Sequence, residues 1–405
     1  MAAAGQVPSK TNFDQDFELA WRRIASTYAY FDVKATAWKD VPRLYADDLA
    51  RVATKDEFIS LLERVVDELY DPHAQLTVNT PTSPRLVPSG TDLWAEWRGT
   101  TAVITQVRAD SDAERARINA SDVVVSLNTV PIADAVDARL GRSYAHSTAP
   151  ARDWALRAVL AGRHGERRIL RLRRGEGERT VPLPGEDQFT VAGPSVTSSE
   201  IRPGIGYVRF NDSLGDTATV PAFDHALDAL GATRALIIDL RNTPSGGNTM
   251  VARGVLGRFV TGDSAYQKHV LPSEERDTGI RRSWFELVSP RVGLAYRQPV
   301  AVLVDRWTGS MGEGIAIGFD ATIGATIVGT PMAGLAGATY PLKLPRTGIG
   351  VNVPAERLYH VDGTPREAFR PDVPVDVSRV RAGEDPFLMR ALLALGEKST
   401  TSPAP

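Results

Sequence analysis

From about residue 200 the chain alternates short apolar runs with amphipathic ones, and this order limits its fold more than any other feature. "GIGYVRFN" reads as a strand, "TVPAFDHALDALG" as a helix and "RALIIDLRN" as a buried strand. "NTMVARGVLGRFV" then reads as a helix, "PVAVLVD" as a strand, "GEGIAIGFDAT" as a helix and "ATIVGT" as a strand. Repeated strand–helix alternation predicts a largely parallel sheet with helices packed on it. In such sheets functional sites lie beyond the carboxyl ends of the strands.

Two of those ends carry glycine-rich turns, "IIDLRNTPSGGN" and "VLVDRWTGSMGE". The second places Ser310 at a strand-to-helix junction, beside backbone N–H groups that have no intrahelical acceptor. Ser310 is therefore a candidate nucleophile, or else an N-cap. Serine hydrolysis needs a base, a group that orients the base, and donors for the oxyanion. Gly246 or Gly247 on the first turn and Met311 on the second are candidate oxyanion donors. A plain tight turn accounts for Gly246–Gly247 as well.

Residues 13–80 read as a helical region, because "FDQDFELAWRRIASTYAYFD" and "TKDEFISLLERVVDELYDPH" repeat apolar residues every three or four positions. Pro72 is expected to stop the second helix, leaving His73 just past its C-terminus. There are six histidines: His73, His146, His164, His225, His269 and His360. His225 falls inside an amphipathic helix and His164 in a turn, and His146 and His269 have no supporting context. His73 and His360 sit at element ends, which makes them the two candidate bases.

"VNTPTSPRLVPSGTD" reads as a linker. Residues 86–186 then show short strand-like runs with helical pieces, including "ARLGRSYAH" and "ARDWALRAVLAG", consistent with a small α+β domain. The α/β core spans 200–395, and the Ser/Thr/Pro-rich tail 396–405 is expected to be disordered.

The net charge is −2, from 47 basic and 49 acidic residues, so nothing favours nucleic acid as a partner. The chain has no cysteine, which excludes disulfides and thiolate catalysis. No metal site or cofactor is expected. No apolar run is long enough to span a bilayer. The N-terminus lacks the apolar segment of a signal peptide. An exported, periplasmic form whose signal is absent or removed is favoured over a cytosolic one.

Several motifs, in order, resemble the tail-specific or C-terminal processing serine peptidases, a group that includes the tricorn core protease. "ELYDPHAQL" matches a Leu-x-Asp-x-His segment that closes the helical start. "AVITQVRADSDAERARINASDVVVSLNTVPI" is similar to a PDZ run, with Ser121 where a glycine is usual. "IIDLRNTPSGGN", "TGSMGEGIA", "ATIVGTPMAGL" and "GTPREAFRPDVPVD" resemble the core, nucleophile, base and closing motifs. The resemblance implies an α/β core of ClpP/crotonase-like β–α repeats with a mostly parallel sheet, an N-terminal helical region and an inserted PDZ-like domain.

It also implies Ser310 as nucleophile, three residues before Glu313. Bacterial processing peptidases place a lysine base where this chain has Leu335, so a Ser–Lys dyad is excluded at that position. Lys343 is a poor substitute. The tricorn branch instead uses a histidine and a glutamate, which match His73 and Glu367. Pro72 stands where that branch has a serine, and Asp71 is an alternative orienting carboxylate. Met311 after the nucleophile suggests an apolar substrate preference. The resulting expectation is a serine endopeptidase acting on peptide or protein through an acyl-enzyme. The alternatives are a catalytically silent binding relative and an esterase-like hydrolase. Capture of an extended peptide by the PDZ-like domain and assembly into a homo-oligomer are left open.

Overall fold

The computed structural model describes residues 9–143, 148–185, 193–293, 295–378 and 384–396. The tail from 397 onward, His146 and the end of "ARLGRSYAH" lie outside them. The chain divides into two compact units. One comprises Met1–Gln188, Leu271–Arg281 and Gly337–Arg357; the other comprises Phe189–Val270, Arg282–Ala336 and Leu358–Pro405.

The first unit opens with helix Lys10–Thr27, which buries Phe13, Phe17, Ala20 and Ile24 on one face. Helix Lys55–Asp67 buries Phe58, Leu61, Leu62 and Val65 at the same period. The rings of Phe13 and Phe58 meet at 5.0 Å. A capping box starts the second helix: Glu57 N–H donates to Thr54 Oγ1, and Thr54 N–H donates to Glu57 Oε2. This helix ends at Asp67, ahead of Pro72. Its stop is set by the side chain of Glu68, fully buried and accepting from Tyr45, Arg142 and Ser143, and by Tyr70, whose φ of 46° cannot continue a helix.

Residues 93–183 form an antiparallel sheet in the order Leu93–Arg98, Thr101–Val107, Val123–Leu127, Arg168–Arg174, Gly177–Leu183. Helices Ile132–Arg139 and Ala149–Ala161 accompany it. Strand Arg168–Arg174 alternates, with Leu170 and Leu172 inward and Ile169, Arg171 and Arg173 outward. Its inward Arg168 is neutralised by a two-pronged pair with buried Asp92, at 2.7 and 2.9 Å.

The stretch expected to be a linker is instead largely packed: Thr80, Ser83, Arg85, Val87, Thr91 and Asp92 are buried. Polar side chains satisfy its backbone, so its Pro/Ser/Thr composition reflects irregular backbone rather than solvent exposure. The end of this stretch leads directly into strand Leu93–Arg98. Ser121, where the family resemblance expects glycine, has φ 77°, which explains the usual residue.

The second unit is built on a six-stranded sheet. Its order is Val373–Pro374, Thr326–Gly329, Val300–Val304, Ala235–Asp239, Ile205–Phe210, Val196–Arg202. The first four pairings are parallel and the last is antiparallel. Ala235–Asp239 and Val300–Val304 are buried along their whole length. Leu236, Ile238, Val300, Val302 and Val304 face a core with helices Thr219–Ala229, Thr249–Leu256 and Met311–Ile323. Ala235, Ile237, Ala301 and Leu303 face the other side, covered by helix Pro386–Ala394. Burial on both faces is why these strands read as unbroken apolar runs.

Candidate functional site

The second unit's site begins where strands Ala235–Asp239 and Val300–Val304 run out. Both loops continue in step, since Thr243 and Thr308 form a parallel bridge. Thr308 Oγ1 donates to Leu240 C=O at 3.0 Å and accepts Asp305 N–H at 3.0 Å. Gly309 N–H donates to Thr243 C=O at 3.3 Å. The turn entering helix Met311–Ile323 is thus fixed to the neighbouring strand end before Ser310 is reached.

Ser310 itself has φ 50° and ψ −108°. A non-glycine residue holds this region only where its surroundings over-determine it. A strained serine at a strand-to-helix turn is the arrangement that exposes a nucleophilic hydroxyl in other serine hydrolases. The determinant here is Glu313, a fully buried carboxylate. It accepts from Ser310 N–H at 2.9 Å, Gly334 N–H at 2.9 Å and Leu335 N–H at 3.1 Å. Burial pushes its carboxyl up to about 7, against the pull of the Arg366 guanidinium and of these N–H donors. Arg366, also buried, donates to Leu335 C=O at 3.1 Å. Glu313 and Arg366 therefore grip the 334–335 backbone through both its donors and its acceptor.

That grip sets Leu335 beside the nucleophile. Leu335 is buried, and its Cδ1 lies 3.4 Å from where a Gly309 side chain would begin. An apolar group, unable to take a proton, adjoins the Ser310 turn.

Gly246 is brought directly against Ser310. A side chain added there would overlap Ser310 Cβ, and would lie 3.0 Å from its Oγ and 3.2 Å from Met311 N. Gly246 N–H is already given to Thr243 C=O at 3.1 Å, so its contribution is space rather than a donor. Gly247 is equally confined, with Leu214 backbone where a side chain would go. The loop is anchored by Ser245, whose N–H and hydroxyl both donate to Asp212, at 2.9 and 2.6 Å.

Below the loop, Asp239 is buried and ion-paired with Arg241 at 2.7 Å. Burial alone would raise the Asp239 carboxyl, but Arg241 and the Tyr207 hydroxyl hold it below its usual range. Glu367 is half-buried on the single turn Arg366–Ala368, with its C=O 3.6 Å from the side-chain position of Gly334. His360 is held between two carboxylates, with Nε2 3.2 Å from Asp320 and Nδ1 3.0 Å from Asp362. Asp320 lies ten residues beyond Ser310 on its helix, roughly 15 Å along the axis. That neighbourhood separates His360 from the nucleophile turn.

The first unit carries His73. It is buried, and its N–H donates to Asp71 Oδ1 at 3.0 Å. Asp71 Oδ2 accepts the Tyr28 hydroxyl at 2.7 Å. Asp71 thus fixes the backbone that carries the imidazole. Sequence reading did not find Tyr28 or Arg366. Glu313 could have been weighed further, because Ser-x-x-Glu ahead of an apolar run is a capping-box pattern.

Sequence comparison matches residues 204–375 to peptidase family S41 and residues 9–67 to the tricorn protease C1 domain. The first match contains both loops of the Ser310 site. Residues 204–375 are those of a peptidase family S41 domain. The chain is accordingly a serine-type peptidase. No curated protein matches this chain by sequence. Among solved structures, mature CPAF is similar over 90% of this chain and 93% of its own, with 16% identity and a TM-score of 0.60. A putative peptidase from Parabacteroides merdae is similar over 97% and 99%, with 16% identity and a TM-score of 0.57. The photosystem II D1 C-terminal processing protease is similar over 90% and 93%, with 18% identity and a TM-score of 0.56. At these identities the likeness is one of fold.

Proposed function

We propose that this chain is a serine endopeptidase of the Ser–His–carboxylate type, acting on peptide or protein substrates. Ser310 attacks the scissile carbonyl, and His73 takes the Oγ proton. Glu367 orients the imidazole, and Asp71 holds the backbone beneath it. The N–H groups of Gly247 and Met311 stabilise the tetrahedral oxyanion, each donor worth about 3 kcal/mol in comparable sites. The C–N bond breaks as His73 returns the proton to the leaving amine. The acyl-enzyme, an ester on Ser310, is then hydrolysed by water.

The observation that carries this reading is the backbone of Ser310, held in a strained conformation by a buried carboxylate at a strand-to-helix turn. The buried Leu335 beside that turn argues for a base from elsewhere in the chain, and favours His73 over a lysine. His360, already shared by Asp320 and Asp362, is not assigned a catalytic role. In this reading residues 13–80, 86–186 and 200–395 act as helical region, PDZ-like domain and peptidase core. The antiparallel sheet at 93–183 supports a PDZ-like module that captures extended peptide.

A fluorophosphonate probe tests the chemistry. Wild-type protein is expected to label, and Ser310→Ala and His73→Ala are not. Labelling that survives either change, in a folded sample, would remove that residue from the mechanism. Matched peptide and ester substrates then separate a peptidase from an esterase-like hydrolase.

A further inference from the structure

The loop Asp71–Leu76 is fixed on both sides of His73. Downstream, Gln75 and Leu76 pair with Asn352 and Val351. Upstream, the fixing group is Asp71, whose side chain is buried and faces Tyr28 and the His73 N–H. The Asp71 C=O also accepts Ala74 N–H at 3.0 Å. Pro72, directly before the histidine, has no N–H to contribute. Asp71 therefore carries the positioning from its upstream side.

Tyr28 is placed to hold that carboxylate. It is fully buried at the C-terminus of helix Lys10–Thr27. Its ring packs edge-on against Phe31 at 4.9 Å and lies tilted against Tyr30 at 6.0 Å. Its backbone is tethered from distant segments: Arg276 donates to Tyr28 C=O at 3.2 Å, and Ala29 N–H donates to Pro354 C=O at 2.9 Å. Arg357 donates to Ala29 C=O at 3.0 and 2.7 Å. Burial, with the Asp71 charge next in effect, holds the Tyr28 hydroxyl well above its ordinary range, so it is a permanent donor. Tyr30 and the Arg357 guanidinium are the other ionisable groups beside it.

We propose that Tyr28 is a positioning residue for the His73 base, acting through the Asp71 carboxylate that it holds. The proposal rests on the assignment of His73 as the base of Ser310. The hydroxyl fixes the carboxylate, the carboxylate fixes the His73 backbone, and its charge favours the imidazolium that forms as Ser310 attacks.

The test uses the full chain and the rate of fluorophosphonate labelling from pH 5 to 9, with thermal midpoints measured alongside. Tyr28→Phe keeps the ring packing and removes one donor. Its plateau rate is expected to fall by between about tenfold and a hundredfold, as misplacement of a catalytic group does. Asp71→Asn keeps the shape and the acceptor for His73 N–H but removes the charge. Its acid limb is expected to move to lower pH, because the imidazolium loses a stabilising neighbour. A purely structural role does not move that midpoint. If Tyr28→Phe does not fold, the Asp71→Asn midpoint decides alone. The proposal is overturned if Ser310→Ala and His73→Ala are silent while Tyr28→Phe keeps the wild-type plateau and Asp71→Asn the wild-type midpoint. Labelling in His73→Ala would instead refute the assignment on which the proposal rests.

Discussion

Gly246→Ala measures how tightly the nucleophile turn is built. Gly246 has φ 68°, a conformation that costs an ordinary residue about 1–2 kcal/mol. The added methyl also meets Ser310 Cβ, with Oγ at 3.0 Å and Met311 N at 3.2 Å. Forcing an extra carbon into a packed site costs about 1–3 kcal/mol more. The expected loss of stability is therefore roughly 2–5 kcal/mol. Relief by moving Ser310 is opposed by Glu313, which holds its N–H. Any residual shift falls on Oγ and the Met311 donor, and a displacement near 1 Å costs about a hundredfold in rate. The assay pairs thermal denaturation with the labelling rate. Gly215→Ala is the control, since nothing lies within 4 Å of a side chain there. A Gly246→Ala protein with the wild-type midpoint and the wild-type rate would refute the assigned geometry.

Two further outcomes follow from buried charge. Glu313 binds its proton more tightly in the folded state, about 7 against 4.5, so its contribution to stability is complete below pH 4.5 and is lost as pH rises through 7. The loss is about 3 kcal/mol, visible as a falling denaturation midpoint across that window. Glu313→Gln should flatten this part of the profile, and an unchanged slope would contradict the assignment. In the first unit, Asp92→Ala leaves Arg168 buried without its partner. It should cost about 3–5 kcal/mol, measured by chemical denaturation, with replacement of both residues by apolar ones recovering much of the loss.

The strands that frame the Ser310 site were legible because both faces of Ala235–Asp239 and Val300–Val304 are buried, leaving unbroken apolar runs. The serine was legible because a Gly-rich turn followed such a run. Strands Val196–Arg202, Ser264–Val270 and Ser283–Val288 gave no comparable signal. The first exposes most of its residues and the last half of them, while Ser264–Val270 buries the polar Gln267 and His269 beside Tyr266 and Val270, which breaks the apolar pattern. Strand Gly350–Tyr359 contains Pro354 and Glu356, which mask its pattern. Leu93–Arg98 was hidden by the Gly and Pro residues before it. The roles of Glu313, Arg366 and Tyr28 could not be read, because each depends on a partner brought near only by folding. Asp71 was visible as a carboxylate close to His73, but not as one that grips its backbone.

The helix Pro386–Ala394 is fastened by Asp385, which caps it through Leu388 N–H and also takes two bonds from Arg241, at 3.0 and 2.9 Å. Arg241 sits immediately past the strand that leads into the Gly246 loop. A single cut releasing this helix would uncover one whole side of the sheet and strip Arg241 of its outer anchor. Molecules that lose this helix should therefore lose labelling competence before they lose their remaining helices, because the strand end that feeds the Gly246 loop is loosened first.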